Sequence, residues 1–199
     1  MDNIEYIIQK CAERDNFYCH KFYDRYFAYA MKIAYRYITN YDEAMEVVQD
    51  SFLKIFNNLL NFSNKTGNNN LEQVLLAWMK KIVVNTTIDF MRRDKPLAPL
   101  DDINQQGLSL SSDVLSADSG LLYKELLAEL GKLPPSYRAV FNLYAIDGYK
   151  HKEIAQMMGI TTGGVKAMYF KARGILQKRV NTLFNNKTED GVCLMPAMI

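Results

Sequence analysis

This 199-residue chain is poor in the residues that build extracellular scaffolds and metal centres: three cysteines, two histidines, five prolines and one tryptophan. Cys11, Cys19 and Cys193 are odd in number and include no C-x-x-C pair, which argues against both a disulfide framework and a zinc site. The neighbours Cys19 and His20 point to different sides of a helix and have no further ligands nearby, so reduced, structural thiols are the expectation. No apolar run approaches the roughly 20 residues a membrane-spanning helix needs. The start, MDNIEYIIQK, has acids where a signal peptide has bases, and no extended apolar region follows. A cytoplasmic protein with no direct membrane insertion is therefore expected. There is no Ser/His/Asp set, metal cluster or phosphate-binding glycine loop, and His20 and His151 are the only imidazoles. Neither an enzyme nor a cofactor or metal is expected.

One absence is local. From Ile154 to Thr188 there is no Asp or Glu, while Lys166, Lys171, Arg173, Lys178, Arg179 and Lys187 all fall there, in a chain of formal net charge only +2. A second segment lacks the opposite sign: Pro96–Gly120 has four aspartates, several serines, two prolines and no Lys or Arg. That composition buries too little apolar surface to fold alone and reads as a flexible linker over 96–120.

What remains is 49% hydrophobic and 23% charged, ordinary for a core-forming protein. Helical periodicity dominates on both sides of the linker, so the expected fold class is all-α: two small helical domains joined by a linker. In the first block, helices are expected over about 2–13 and 16–37. A third follows the Asn40–Glu43 pair, which has capping-box spacing. Its residues Val47, Val48, Phe52, Ile55, Phe56 and Leu59 share a face. After the loop FSNKTGNNN (Phe62–Asn70) a fourth helix runs over about 71–93. Its apolar strip is Leu71, Leu75, Trp78 and Ile82, edged by Lys81, Asn85 and Arg92. The second block opens near Leu121, restarts at Pro134–Pro135, and carries a helix over about 138–147 ended by Gly148.

The acid-free stretch then begins EIAQMMGITTGGVKAMYFKAR. Ala155, Gly159 and Val165 supply the small contact residue, the turn glycine and the docking residue of a helix-turn-helix. Ile154, Met157 and Met158 form the buried face of its first helix, and Tyr169, Ala172 and Leu176 extend the strip from Val165. The opposite face carries Thr162, Gly163, Lys166, Phe170, Lys171 and Arg173, where cations can meet phosphates and guanine edges. A carboxylate there would repel phosphate, which accounts for the missing acids. The competing reading is a plain helical hairpin with a solvated basic face.

Three stretches in this order resemble the sigma-70 family of bacterial RNA polymerase sigma factors, in its extracytoplasmic-function group. NYDEAMEVVQDSFLKIF is similar to the family's polymerase-binding helix, LLAWMKKIVVNTTIDFMRR to its promoter-melting helix, and LPPSYRAVFNLYAIDGYKHKEIAQMMGITTGGVKAMYFKAR to its second DNA-binding domain. The resemblance covers about residues 10–180. It implies a region 2-like domain over 1–95, a region 4-like domain over 121–185 and a tail over 186–199. The implied partners are core RNA polymerase, promoter DNA and an anti-sigma factor. Glu46, Gln49 and Asp50 would meet polymerase. Phe62, Ser63, Asn64, Lys65, Lys81, Asn85, Arg92 and Arg93 would contact −10 DNA, with a core role for Phe62 the alternative; core packing is favoured for Trp78. Thr162, Gly163, Lys166, Ala167, Phe170, Lys171 and Arg173 would read −35 DNA. Two departures bear on that element. Ala167 and Met168 stand where the family usually has Ser and Arg. Gly164 replaces a common Thr, and the resulting Gly-Gly pair costs roughly 1 kcal/mol of helix stability. The rival function is a free-standing helix-turn-helix regulator with a helical partner- or ligand-binding N-terminal domain.

Overall fold

The computed structural model describes residues 3–63, 70–94 and 121–189; the linker at 96–120, Cys193 and the end of the tail lie outside them. The described residues are all helix, turn or loop, with no strand.

The first four helices, α1 (Ile4–Ala12), α2 (Asn16–Tyr35), α3 (Tyr41–Ser63) and α4 (Leu71–Asp94), form one unit. Local chemistry sets their starts. Asn3 accepts from the Glu5 amide at 3.2 Å, Asp15 from the Phe17 amide at 3.0 Å, and Asn40 from the Glu43 amide at 3.1 Å. Between α1 and α2, Arg14 takes the left-handed conformation at φ 63° so that its amide can turn back to the Cys11 carbonyl. The α3 face expected from sequence is core: Val47, Val48, Phe52, Ile55 and Leu59 are buried and Phe56 is partly so, with the rings of Phe52 and Phe56 against Phe22.

On α4 the expected strip is rotated. Of Leu71, Leu75, Trp78 and Ile82 only Leu75 is fully buried, while Met79, Val83, Val84 and Ile88 complete the core. The reason is that α4 packs against α2 and α3 together, so a wide arc is covered rather than one stripe. Tyr29 ties α2 to α4 through the Leu76 carbonyl at 3.0 Å, and Arg25 meets Glu72 at 2.6 Å.

The second unit holds α5 (Leu121–Gly131), α6 (Pro135–Phe141), α7 (His151–Met158) and α8 (Thr162–Glu189). The helix expected over 138–147 differs from the observed one: α6 ends at Phe141, and Asn142–Ile146 form a π turn in which the Asp147 amide reaches back to the Asn142 carbonyl at 2.9 Å. Gly148, at φ 78°, ends it. Glu153 caps the Lys150 amide at 2.7 Å to start α7, and Gly159 at φ 68° ends it.

Candidate nucleic-acid and polymerase interface

The helix-turn-helix forms as its spacing required. Ile160 donates its amide to the Ala155 carbonyl at 3.1 Å across the turn. Thr161 then opens α8, its hydroxyl accepting the Gly164 amide at 3.0 Å. Val165, Met168 and Ala172 are buried against α6 and α7, and Tyr169 stacks on Phe141 and meets Tyr144 edge-on. Met168 is thus a core residue. The departure from the family pattern at that position belongs to packing and not to the reading face.

The other side of α8 is open. Thr162, Gly163, Lys166, Ala167, Phe170, Lys171 and Arg173 are all exposed, Phe170 by 79%. An aromatic ring left in water among cations and no acids is poorly placed for folding and well placed to contact a base edge or methyl group.

On α4, Lys81 and Asn85 are exposed on one stripe that continues through Asp89 to Arg92. The arginines at its end have partners within the chain. Arg92 donates to the Met157 carbonyl of α7 at 3.3 Å and lies 4.0 Å from Asp89, while Arg93 lies 3.8 Å from Asp50. Phe62 is 7% exposed and packs its ring 4.8 Å from that of Trp78, so the two aromatics close the end of the core together. Asn64 and Lys65 lie outside the described residues, and for Ser63 only the backbone is described.

The outer face of α3 carries Glu46 and Gln49 exposed and Asp50 half-buried. Sequence reasoning missed its continuation. Leu53 and Leu60 follow on the same side, exposed by 64% and 57%. Together they make an acidic-then-apolar stripe suited to another helix.

Also missed was a polar junction between the two units. The Asp147 carboxylate is wholly buried. It accepts from Arg36 at 3.0 Å, from Lys80 at 2.8 Å, and from the Tyr37 hydroxyl. Beside it the buried Arg138 donates to the Tyr37 carbonyl and the Gly131 carbonyl, both at 2.8 Å, and Asn142 donates to the Arg36 carbonyl. Burial pulls the Arg138 guanidinium down to about 10, still charged at neutral pH. Burial and the adjacent Asp147 charge together hold the Tyr37 phenol well above its ordinary value. Nothing in the spacing of these residues marks them, because the partners across the junction are far apart in sequence, 110 residues in the case of Tyr37 and Asp147.

Comparison with known proteins gives two matches to family models: "Sigma-70 region 2" over residues 22–96 and "Sigma-70, region 4" over residues 123–176. Among curated proteins the chain is similar to the RNA polymerase sigma factor SigV of Bacillus subtilis, with 27% identity over 73% of this chain and 81% of that one. It is similar also to the ECF RNA polymerase sigma factor SigW of the same organism, at 27% identity over 76% and 83%. Among solved structures, CnrH in complex with the cytosolic domain of CnrY matches at TM-score 0.45 and 19% identity, covering 89% of this chain and 97% of that one. Among the described residues no helix is long and apolar enough to cross a membrane, and no cluster of side chains could hold a metal ion.

Proposed function

The chain belongs to the sigma-70 family of RNA polymerase sigma factors, in its extracytoplasmic-function group, and from that premise we propose how its faces divide the work of promoter-specific initiation. The first unit, residues 1–95, binds core polymerase through Glu46, Gln49 and Asp50, with Leu53 and Leu60 as apolar anchors on the same side of α3. Its α4 stripe, Lys81 and Asn85 above all, takes the −10 strand as it opens, and Arg92 and Arg93 hold backbone phosphate. The second unit, residues 121–185, sets α8 in the major groove at −35. Lys166 lies near the N-terminal end of α8, where side chains reach base edges. Lys171 and Arg173, further along, suit phosphates.

The observation that carries this reading is the coexistence of three separately exposed faces, on α3, α4 and α8, in a chain that matches both family regions in order. A free-standing regulator needs only the last of them. Promoter DNA and core polymerase are accordingly the partners. A protein that sequesters the chain until a signal arrives, an anti-sigma factor, is the further partner its group implies, and the cytoplasm is where all three meet.

Copurification with core polymerase followed by sequencing of run-off transcripts tests the assignment. The expected result is a holoenzyme that starts transcription at a defined set of −35/−10 promoters. Tight, specific promoter binding by the chain alone, with no association with polymerase, would favour a regulator instead.

A further inference from the structure

We infer that Cys11 and Cys19 form a dithiol site for oxidation by hydroperoxides, closing reversibly to a disulfide that ties α1 to α2. Cys11 is in the last turn of α1 and Cys19 near the start of α2, eight positions on. The corner between the helices brings them together. Arg14, at φ 63°, turns the chain back, and its amide and the Cys19 thiol both donate to the Cys11 carbonyl, at 3.0 Å and 3.9 Å. Asp15 then caps α2 through the Phe17 and Tyr18 amides. The Cys19 amide meets the Asp15 carbonyl at 2.9 Å, which fixes where the Cys19 side chain leaves the helix.

A residue's carbonyl oxygen is about 2.4 Å from its own Cα, so Cys19 Sγ lies no more than about 6.3 Å from the Cys11 Cα. The two thiol groups interact directly. Turning Cys19 about χ1, away from the carbonyl and onto the Cys11 sulfur, is the principal movement a disulfide requires. The pair is also asymmetric. Cys11 is 2% exposed and shares the core with Ile7 and Ile8, whereas Cys19 is only half-buried and reaches water. Burial pushes the Cys11 thiol up to about 12, and Cys19 adds to the effect, so Cys11 stays protonated and inert on its own.

The asymmetry sets the order of events. A hydroperoxide meets Cys19 first: the Cys19 thiolate attacks one peroxide oxygen, the O–O bond breaks, and the departing oxygen takes up a proton. Cys19 is then a sulfenic acid, oxidised by two electrons. The Cys11 sulfur next attacks the Cys19 sulfur. The S–S bond forms, the S–O bond breaks, and the hydroxide leaves as water with the Cys11 proton. With hydrogen peroxide the sum is two thiols and one peroxide giving one disulfide and two waters. A small dithiol reverses it by exchange. Where thiols are kept reduced, such a bond forms transiently and reports oxidation. The bond closes a short loop, so it stabilises the joined helices modestly. Nothing in this chemistry depends on the sigma-factor reading.

The test uses the full chain carrying Cys193→Ser, which removes the only other thiol able to compete. Treated with a small excess of hydrogen peroxide, it should lose both free thiols and the mass of two hydrogen atoms. Digestion should give a Cys11–Cys19 crosslinked peptide that dithiothreitol separates. The thermal midpoint of the oxidised chain should rise by about 5–10 °C. Adding Cys11→Ala should leave a Cys19 sulfenic acid that dimedone traps and that proceeds to the sulfinic acid, with no disulfide. Adding Cys19→Ser instead should leave Cys11 unreacted in the folded chain, a control that holds even if replacing the buried Cys11 disturbs folding. The proposal is overturned if peroxide leaves both thiols free, or carries Cys19 to the sulfinic acid with Cys11 present. It is overturned equally by a crosslink that joins two chains or fails to raise the midpoint.

Discussion

The two candidate reading helices are mounted in opposite ways. Helix α4 is embedded: Leu75, Met79, Val83, Val84, Thr87 and Ile88 are buried among α2 and α3, and little more than the stripe through Lys81 and Asn85 reaches water. Helix α8 is perched. Val165, Met168, Tyr169 and Ala172 fasten one side of its first turns, and the opposite side stands free. An embedded helix can hold a separated strand only if the unit beneath it does not yield, which suits work done against base pairing. A perched helix can enter a groove because nothing beside it collides with DNA. The difference is therefore one of load. Substitutions on α4 should act on stability and function together, whereas those on the open face of α8 should act on recognition alone.

Core truncation breaks this contrast most sharply. Ile88→Ala and Leu75→Ala each remove a buried branched side chain beneath the α4 stripe, and each should destabilise the first unit by about 2–5 kcal/mol. Phe170→Ala removes a larger side chain from α8 and should change stability by less than about 0.5 kcal/mol. Urea unfolding of the three variants checks this. Equal losses would show that α8 is packed more deeply than its exposure indicates.

Next comes alkaline pH, which acts on the first unit and the junction. Burial pushes the Cys11 thiol up to about 12 and raises the phenols of Tyr26, Tyr29, Tyr37 and Tyr149. For Tyr37 and Tyr149 the Asp147 charge adds to the effect. All are acids that are neutral when protonated and have raised folded values. Their contribution is thus fully present below the unfolded values, 9.0 for the thiol and 10.0 for the phenols. It is lost as pH rises through them, because the unfolded chain ionises first. Stability should fall by on the order of 2 kcal/mol between pH 8.5 and 11. A urea midpoint that stays level over that range would contradict the burial of these groups.

Much of this arrangement was legible in the sequence, for identifiable reasons. Helix starts could be read where a short polar side chain faces an amide, as at Asn40. The helix-turn-helix could be read because Ala155, Gly159 and Val165 each answer a local geometric need. The buried arc of α4 was misplaced because two neighbours cover it and its apolar residues run almost all the way round. The π turn at Asn142–Ile146 follows from hydrogen bonds five residues apart, for which a helical repeat carries no signal. Least legible was the polar junction between the two units. Asp147 beside Gly148 looks like an ordinary charged helix end, and its burial depends on Arg36 and Lys80, which only the tertiary fold brings near.

Recognition substitutions sharpen the contrast from the α8 side. Lys166→Ala should cost roughly 1–3 kcal/mol of −35 binding and relax preference at one or two base pairs. Lys171→Ala should weaken binding about equally for every sequence and reduce the salt dependence by about one phosphate contact. On α4, Lys81→Ala with Asn85→Ala should slow promoter opening and leave core affinity nearly unchanged. Glu46→Ala with Leu53→Ala should do the reverse. Selection from randomised −35 DNA with each mutant holoenzyme at two salt concentrations separates the first pair, and polymerase titration separates the second. An unchanged base preference for Lys166→Ala would remove that residue from the reading surface.

The smallest effect expected lies in the first turn of α8, where Gly163 and Gly164 are both helical. Alanine in a helix is worth up to about 1 kcal/mol over glycine, yet the two sites should not respond alike. A methyl group at Gly163 would come no nearer than 4.0 Å to the Thr161 hydroxyl, an ordinary contact. At Gly164 it would lie 3.3 Å from the same oxygen, which is accepting the Gly164 amide as the helix cap. The cap would have to shift by a few tenths of an ångström, giving back part of the gain. Gly163→Ala should therefore stabilise the second unit by about 0.5–1 kcal/mol and Gly164→Ala by clearly less. Function should run the other way. Gly163 is on the exposed face, so its added methyl stands between α8 and the groove floor, and −35 affinity should fall even as the thermal midpoint rises. If Gly163→Ala raised both, close approach of this turn to DNA would not be the reason the chain keeps a glycine there.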